Sequence, residues 1–249
     1  MTVKRFAGLV LIFCVSGWVS KVNTPDHALE YCNTFRQIQI DIRDYAITPD
    51  SARKAFKAVI GDLRKAYNRD SCKAIDSSYF VFPVQGYYPK ESIGGRGRGY
   101  RPNGLDLFDM NAKGSHPAHD IFIRDKNQDN LDDRTWEPVN VLAFSSGLVL
   151  ATETSWKYDS ELRGGNWIWL YDPCLDVLYF YAHNNIVTVK TGQWVQAGEK
   201  IGEMGRSGFN AYKPRSPTHL HLMTLKLTEE GLPEPYNTYA WLLNATVKE

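Results

Sequence analysis

Leu29, Cys32, Phe35, Ile38, Ile42 and Tyr45 recur at spacings of three and four, the repeat that puts one face of a helix into a core. Ala52, Phe56, Val59, Ile60, Leu63 and Tyr67 repeat the pattern. Each run follows the same start signal, Thr24-Pro25-Asp26 and then Thr48-Pro49-Asp50, a capping hydroxyl with proline in the first turn. The join between the runs is short, so the spacing predicts a small antiparallel helical hairpin over residues 21–75.

From Tyr79 the pattern changes to short runs of β-branched and aromatic residues punctuated by Gly, Asn or Asp. Tyr79–Val84, Val139–Phe144, Gly147–Thr154, Asn166–Tyr171, Val177–Ala182, Ile186–Lys190 and His219–Leu227 read as strands. Many short strands with turn signals predict a mainly β domain, an antiparallel sandwich or barrel-like core, over residues 76–249. The stretch Gly94-Gly95-Arg96-Gly97-Arg98-Gly99 reads as a mobile surface loop, Phe209–Pro217 as a proline-containing loop, and Pro235–Val247 as a last helix.

Residues 1–20 read differently. Lys4 and Arg5 precede an apolar run from Phe6 to Val15, with small residues Ser16, Gly17 and Ser20 beyond. That is the layout of a secretory signal peptide, and the run is short of the roughly 20 residues a spanning helix needs. The expectation is export to the periplasm or the medium, with no membrane span after cleavage. The 29 basic and 28 acidic residues of the 249-residue chain give a formal charge of +1, which supplies no field for nucleic acid. Export makes a disulfide plausible. The hairpin brings Cys32 and Cys72 to the same end, so that pair is expected to bridge, leaving Cys174 free.

The chemistry concentrates in histidines. His219 and His221 sit two apart in Thr218-His219-Leu220-His221-Leu222, so on a strand both imidazoles point to one face. Gly114-Ser115-His116-Pro117-Ala118-His119-Asp120 offers a nitrogen and an oxygen ligand from His116 and Asp120. Pro117 disfavours a helix there, so these residues belong to a loop entering a strand. Two histidines and a carboxylate leave a coordination position open, as a catalytic zinc site requires.

His-x-x-x-Asp followed about a hundred residues later by His-x-His resembles the lysostaphin-like (LytM-type) zinc endopeptidases. Tyr181-Ala182-His183 is similar to the family's Tyr-x-His segment. Val189–Gly202 is similar to its Val-x-x-Gly-x-x-Val-x-x-Gly-x-x-Ile-Gly stretch, and Gly205-Arg206-Ser207-Gly208 continues the likeness, which spans roughly Phe80 to Leu227. The resemblance implies one zinc held by His116, Asp120 and His221. It makes His183 and His219 the catalytic histidines, either of which could be the base, and peptidoglycan stem peptides or another peptide the substrate. His119 reads as a neighbour of the ligands. The alternative is a catalytically inactive scaffold that regulates another wall hydrolase. A biotin or lipoate carrier would need a lysine at a hairpin tip, and the glycine repeat argues against a terminal-residue carboxypeptidase.

Asp125, Asn127, Asp129, Asp132 and Asp133 place oxygen side chains through one acidic loop, a pattern resembling a calcium site. Asn130 stands where such loops use glycine, and Trp136 stands where the closing glutamate belongs. The oligomeric state is not legible.

Overall fold

The computed structural model describes residues 27–67, 72, 75–76, 78–109 and 114–249. The signal-peptide reading and the Thr24-Pro25-Asp26 start signal lie outside these residues. None of the described helices is long and apolar enough to cross a membrane.

The helical hairpin forms as its periodicity predicts. Helix α1 spans Ala28–Arg43 and α2 spans Pro49–Ala66. Thr48 caps α2 by accepting a hydrogen bond from the Ser51 N–H at 3.3 Å, with Pro49 in the first turn. Two short helices follow, α3 at Pro89–Ser92 and α4 at Tyr239–Asn244, the latter inside the predicted C-terminal helical stretch.

The rest is antiparallel β, as the strand pattern predicts. A seven-stranded sheet has the order β1-β9-β5-β4-β3-β7, with β10 paired to β9. Its strands are β1 (Ala118–Phe122), β3 (Gly147–Glu153), β4 (Asn166–Asp172), β5 (Val177–Asn184), β7 (Trp194–Val195), β9 (His219–Leu227) and β10 (Pro233–Pro235). A smaller sheet joins β2 (Asn140–Leu142), β8 (Lys200–Glu203) and β6 (Ile186–Val187) in the order β2-β8-β6. Tyr79–Val84 makes only single bridges, at Val81 and Val84. Pro83 interrupts its N–H row, and Val81 and Val84 bridge to two separate segments, at Thr246 and Val141.

Alternation along β9 divides the core. Leu220 and Leu222 enter a cluster with Ile121, Ile168, Tyr179, Phe144, Val141 and Ile201, between the large sheet and the small one. Met223, Leu225 and Leu227 face the other way and pack with Phe35, Phe56, Ile60, Leu148, Leu150 and Trp169, under the helical hairpin. Phe35 meets Trp169 edge-on at 5.9 Å, and Phe56 meets Phe35 at 5.7 Å and Phe108 at 5.5 Å. The hairpin therefore builds its core jointly with the sheet.

The expected cysteine pairing is overturned. Cys72 bonds to Cys174, with Cα atoms 5.6 Å apart, and Cys32 is free and buried. The apolar face of α1 carries Cys32 down onto β3, where its thiol donates to the Val149 carbonyl at 3.6 Å. Cys72 lies beyond the end of α2, where the chain has left the hairpin, and meets the turn between β4 and β5. Burial pushes the Cys32 thiol up to about 12, against a backbone hydrogen bond from Gly192.

A thiol with so high a pKa stays protonated and unreactive well above neutral pH. Iodoacetamide at pH 8 is expected to leave Cys32 unlabelled in the native protein and to label it in denaturant, with Cys72 and Cys174 recovered as one linked peptide pair. Peptide mapping that found Cys32 alkylated in the native state, or bonded to Cys72, would contradict this arrangement.

Candidate metal centre and active site

The pairing of β1 with β9 sets Asp120 opposite His221 and Phe122 opposite His219. On β5, Ala182 pairs with His221 from the other side, and its single methyl leaves the imidazoles room above the sheet. His116 enters from the loop before β1, held by paired backbone hydrogen bonds with Arg101. Ligand atoms of His116, Asp120 and His221 lie within 4.8 Å of one another, the one such cluster found among the described residues. The Asp120 carboxylate is 3.1 Å from His116 Nε2 and 3.0 Å from His221 Nδ1. The two rings meet edge-on at 4.9 Å. Two nitrogens and one oxygen at this spacing suit a divalent cation of zinc's ligand preference and leave a position open.

Electrostatics reinforce the arrangement. Burial opposes charge on Asp120, yet hydrogen bonds from His116 and His221 outweigh it and hold the carboxyl far below the usual range. The His116 imidazole is raised by its hydrogen bond to Asp120, against desolvation.

Two more histidines flank the cluster. His219 Nε2 lies 3.8 Å from Asp120 Oδ1, and the His183 ring is centred 4.9 Å from that of His219 and 5.7 Å from that of His221. Burial lowers the pKa of both His183 and His219. Each points Nδ1 at a backbone carbonyl, His183 to Ser207 at 2.8 Å and His219 to Pro217 at 2.7 Å. A carbonyl only accepts, so Nδ1 carries the proton and Nε2 of the neutral ring is left as an acceptor. His183 holds φ at 70°, a conformation histidine tolerates better than most residues. Gly208, at φ 116°, lets the next loop approach, since a Cβ there would stand 2.9 Å from His183 Nδ1.

Three supports were not legible as such in the sequence. Gly99 accepts a hydrogen bond from His116 Nδ1 at 3.1 Å, turning Nε2 toward Asp120. The glycine-rich stretch thus supports the site through its backbone. It forms a 3-10 turn at Gly94–Gly97 packed so closely that a Cβ on Gly94 would lie 2.6 Å from the Phe122 ring. His119 faces away from the cluster, buried against Tyr100 and bonded to Asn237 at 3.0 Å, in keeping with a neighbour's place. The third support is the acidic loop.

Calcium finds no support in that loop. Asp125 accepts from the Asp129 and Asn130 N–H groups at 3.1 and 2.9 Å and from the Thr218 hydroxyl at 2.6 Å. Asp129 takes the Leu131 N–H at 2.9 Å and the Asn127 amide at 2.7 Å. Asp132 holds Arg134 at 2.6 Å and the Tyr87 hydroxyl at 2.7 Å, and Asp133 accepts the Lys126 N–H at 3.2 Å. The oxygens turn onto the protein's own donors, so the cage that the pattern resembles does not form. Asn130 does adopt the positive φ expected of it, at 71°. The loop instead braces Thr218, the residue before His219.

Residues 131–232 match the model of peptidase family M23, in agreement with the resemblance in the chain's motifs. The match begins after His116 and Asp120 and covers less than half of the chain. No curated protein sequence matches. Among solved structures, lysostaphin from Staphylococcus simulans is 23% identical, with 67% of this chain and 56% of that one covered and a TM-score of 0.41. The present chain therefore spans little more than half of lysostaphin's length. A protein from Ruminococcus gnavus provisionally named glycyl-glycine endopeptidase lytM is 23% identical over 79% of this chain and 74% of that one, at TM-score 0.46. A zinc-containing peptidase from Vibrio cholerae is 20% identical over 59% and 36%, at TM-score 0.37.

Replacing Asp125 by Ala strands a buried hydroxyl and two backbone N–H groups at the entrance to β9. Stability is expected to fall by about 2–3 kcal/mol. Urea unfolding with an unchanged midpoint would show that the loop is no brace.

Proposed function

We propose that the protein is an exported, zinc-dependent endopeptidase that hydrolyses the peptide cross-links of bacterial peptidoglycan. The observation that carries this reading is the convergence of His116, Asp120 and His221 beside two histidines whose Nδ1 atoms are both committed to carbonyls. Zinc bound by these three residues would supply a Lewis acid for the scissile carbonyl and lower the pKa of an attacking water.

The chain's own groups do the rest. His219 is the general base in this reading, because its Nε2 is the acceptor nearest the ligand carboxylate. Burial keeps the ring neutral until it takes a proton, the state a base needs. His183 has only Nε2 left for substrate, and on the neutral ring that atom is a hydrogen-bond acceptor that orients a donor beside the cluster. The Ser207 and Pro217 carbonyls hold both rings without rearrangement during the reaction.

Export is supported by the basic, apolar and small-residue succession of residues 4–20, and the Cys72–Cys174 disulfide suits an oxidising compartment. The glycine repeat from Gly192 to Gly205 and the family match support an endopeptidase of the wall. An inactive regulatory scaffold is not favoured, since such a protein has no need of the complete ligand set and both flanking histidines.

Metal analysis is expected to give one zinc per chain in the wild type and little in His116→Ala, Asp120→Ala or His221→Ala, because losing one of three ligands weakens binding steeply. Full zinc in all three variants would overturn the assignment.

His219→Ala and His183→Ala are expected to retain zinc and lose at least about a hundredfold in the release of peptide from purified sacculi. Wild-type turnover in either variant removes that residue from the mechanism. A zinc-loaded wild type without activity on sacculi or peptides would return the scaffold reading.

A further inference from the structure

The stretch from Gly94 to Arg101 contains three arginines and no acidic residue, although the chain as a whole is nearly neutral. Arg96, Arg98 and Arg101 are all exposed. The Arg98 and Arg101 side chains reach only backbone oxygens, Gly95 at 3.2 Å and Gly99 at 3.3 Å, and none of the three meets a carboxylate among the described residues. An arginine with a carboxylate in reach normally takes it, as Arg64 takes Asp176 at 2.6 Å and Arg53 takes Asp106 at 2.6 Å elsewhere in this protein. Here all three side chains are exposed, and Arg101 stands beside His116 through their backbone bridge.

Arg101 is the closest to the chemistry. It forms an antiparallel bridge with His116, each residue's N–H bonding the other's carbonyl, the first of these at 2.8 Å. Residues paired in this way send their side chains to the same side, with Cβ atoms about 5.5 Å apart. The guanidinium therefore rises on the side of the ligand imidazole, and the two side chains share the Gly99 carbonyl, Arg101 at 3.3 Å and His116 Nδ1 at 3.1 Å. The Asp120 carboxylate pairs with His116 and His221 and forms no ion pair with Arg101.

We infer that Arg101 is a specificity-determining residue that receives a carboxylate of the substrate next to the scissile peptide bond. The inference rests on the peptidase reading and narrows it to cross-links whose neighbouring residue carries a free carboxylate, in contrast to neutral glycyl bridges. A guanidinium suits the task because its planar fork of N–H donors matches a carboxylate. Arg96 and Arg98, on the same turn, extend the positive field along the approach.

The test uses purified sacculi in two forms, with stem-peptide carboxylates free or amidated, and the full zinc-loaded chain as wild type, Arg101→Gln and Arg101→Lys. Cosedimentation reads binding, and released amino groups read hydrolysis. The wild type is expected to bind and cleave the free-carboxylate form about tenfold better or more. Arg101→Gln is expected to bind and cleave both forms alike, with zinc content unchanged. Arg101→Lys is expected to keep part of the preference. A wild type without preference, or an Arg101→Gln variant that retains it, overturns the inference. If neither form is cleaved, the peptidase reading fails separately, and cosedimentation still decides. A binding preference lost in Arg101→Gln supports the Arg101 site, and equal or absent binding overturns it.

Discussion

The antiparallel pairing of β1 with β9 is the constraint on which the rest depends. It fixes Asp120 opposite His221, and the alternate positions lock the register. Ile121, Leu220 and Leu222 are buried in the core between the sheets. A slip of one residue would send the carboxylate and both imidazoles into that core and bring the leucines to the surface. Burial of a bare ionised group costs several kcal/mol, so the apolar core enforces the geometry of the polar site.

The same strand ties the helical hairpin to the chemistry. His219 and His221 lie on the face of β9 that continues through Met223, Leu225 and Leu227 beneath α1 and α2. Segment 105–108 bridges the two: Leu105, Leu107 and Phe108 pack in the hairpin's cluster, and Arg53 on α2 holds Asp106 at 2.6 Å. That segment leads from Arg101 toward His116. Helices α1 and α2, segment 105–108 and Met223, Leu225 and Leu227 of β9 pack together on one side of the sheet.

The sequence made some of this legible and hid the rest for identifiable reasons. Amphipathic helices and the long alternation of β9 declare themselves because each buries one face over many residues. The convergence of His116, Asp120 and His221 was readable because their side-chain types and spacing single them out as one donor set. The cysteine pairing was not, since it depends on where the chain travels after α2, which no periodicity records. Strands β7 and β8 are too short to show alternation within Trp194–Val195 and Lys200–Glu203. The acidic loop misled because carboxylates spaced for a cation are also spaced to fold back onto their own N–H groups.

Three of the four histidines at the centre owe their orientation to main-chain oxygens, at Gly99, Ser207 and Pro217. An amide carbonyl survives substitution of the side chain beside it. An alanine scan across the site would therefore pass over these acceptors, even where they set which ring nitrogen meets the substrate. What such a scan would register at those positions is backbone freedom, as when Pro217 is lost to a looser residue. The orientation of the imidazoles is thus stored in the path of the chain, where selection on individual side chains reaches it only indirectly.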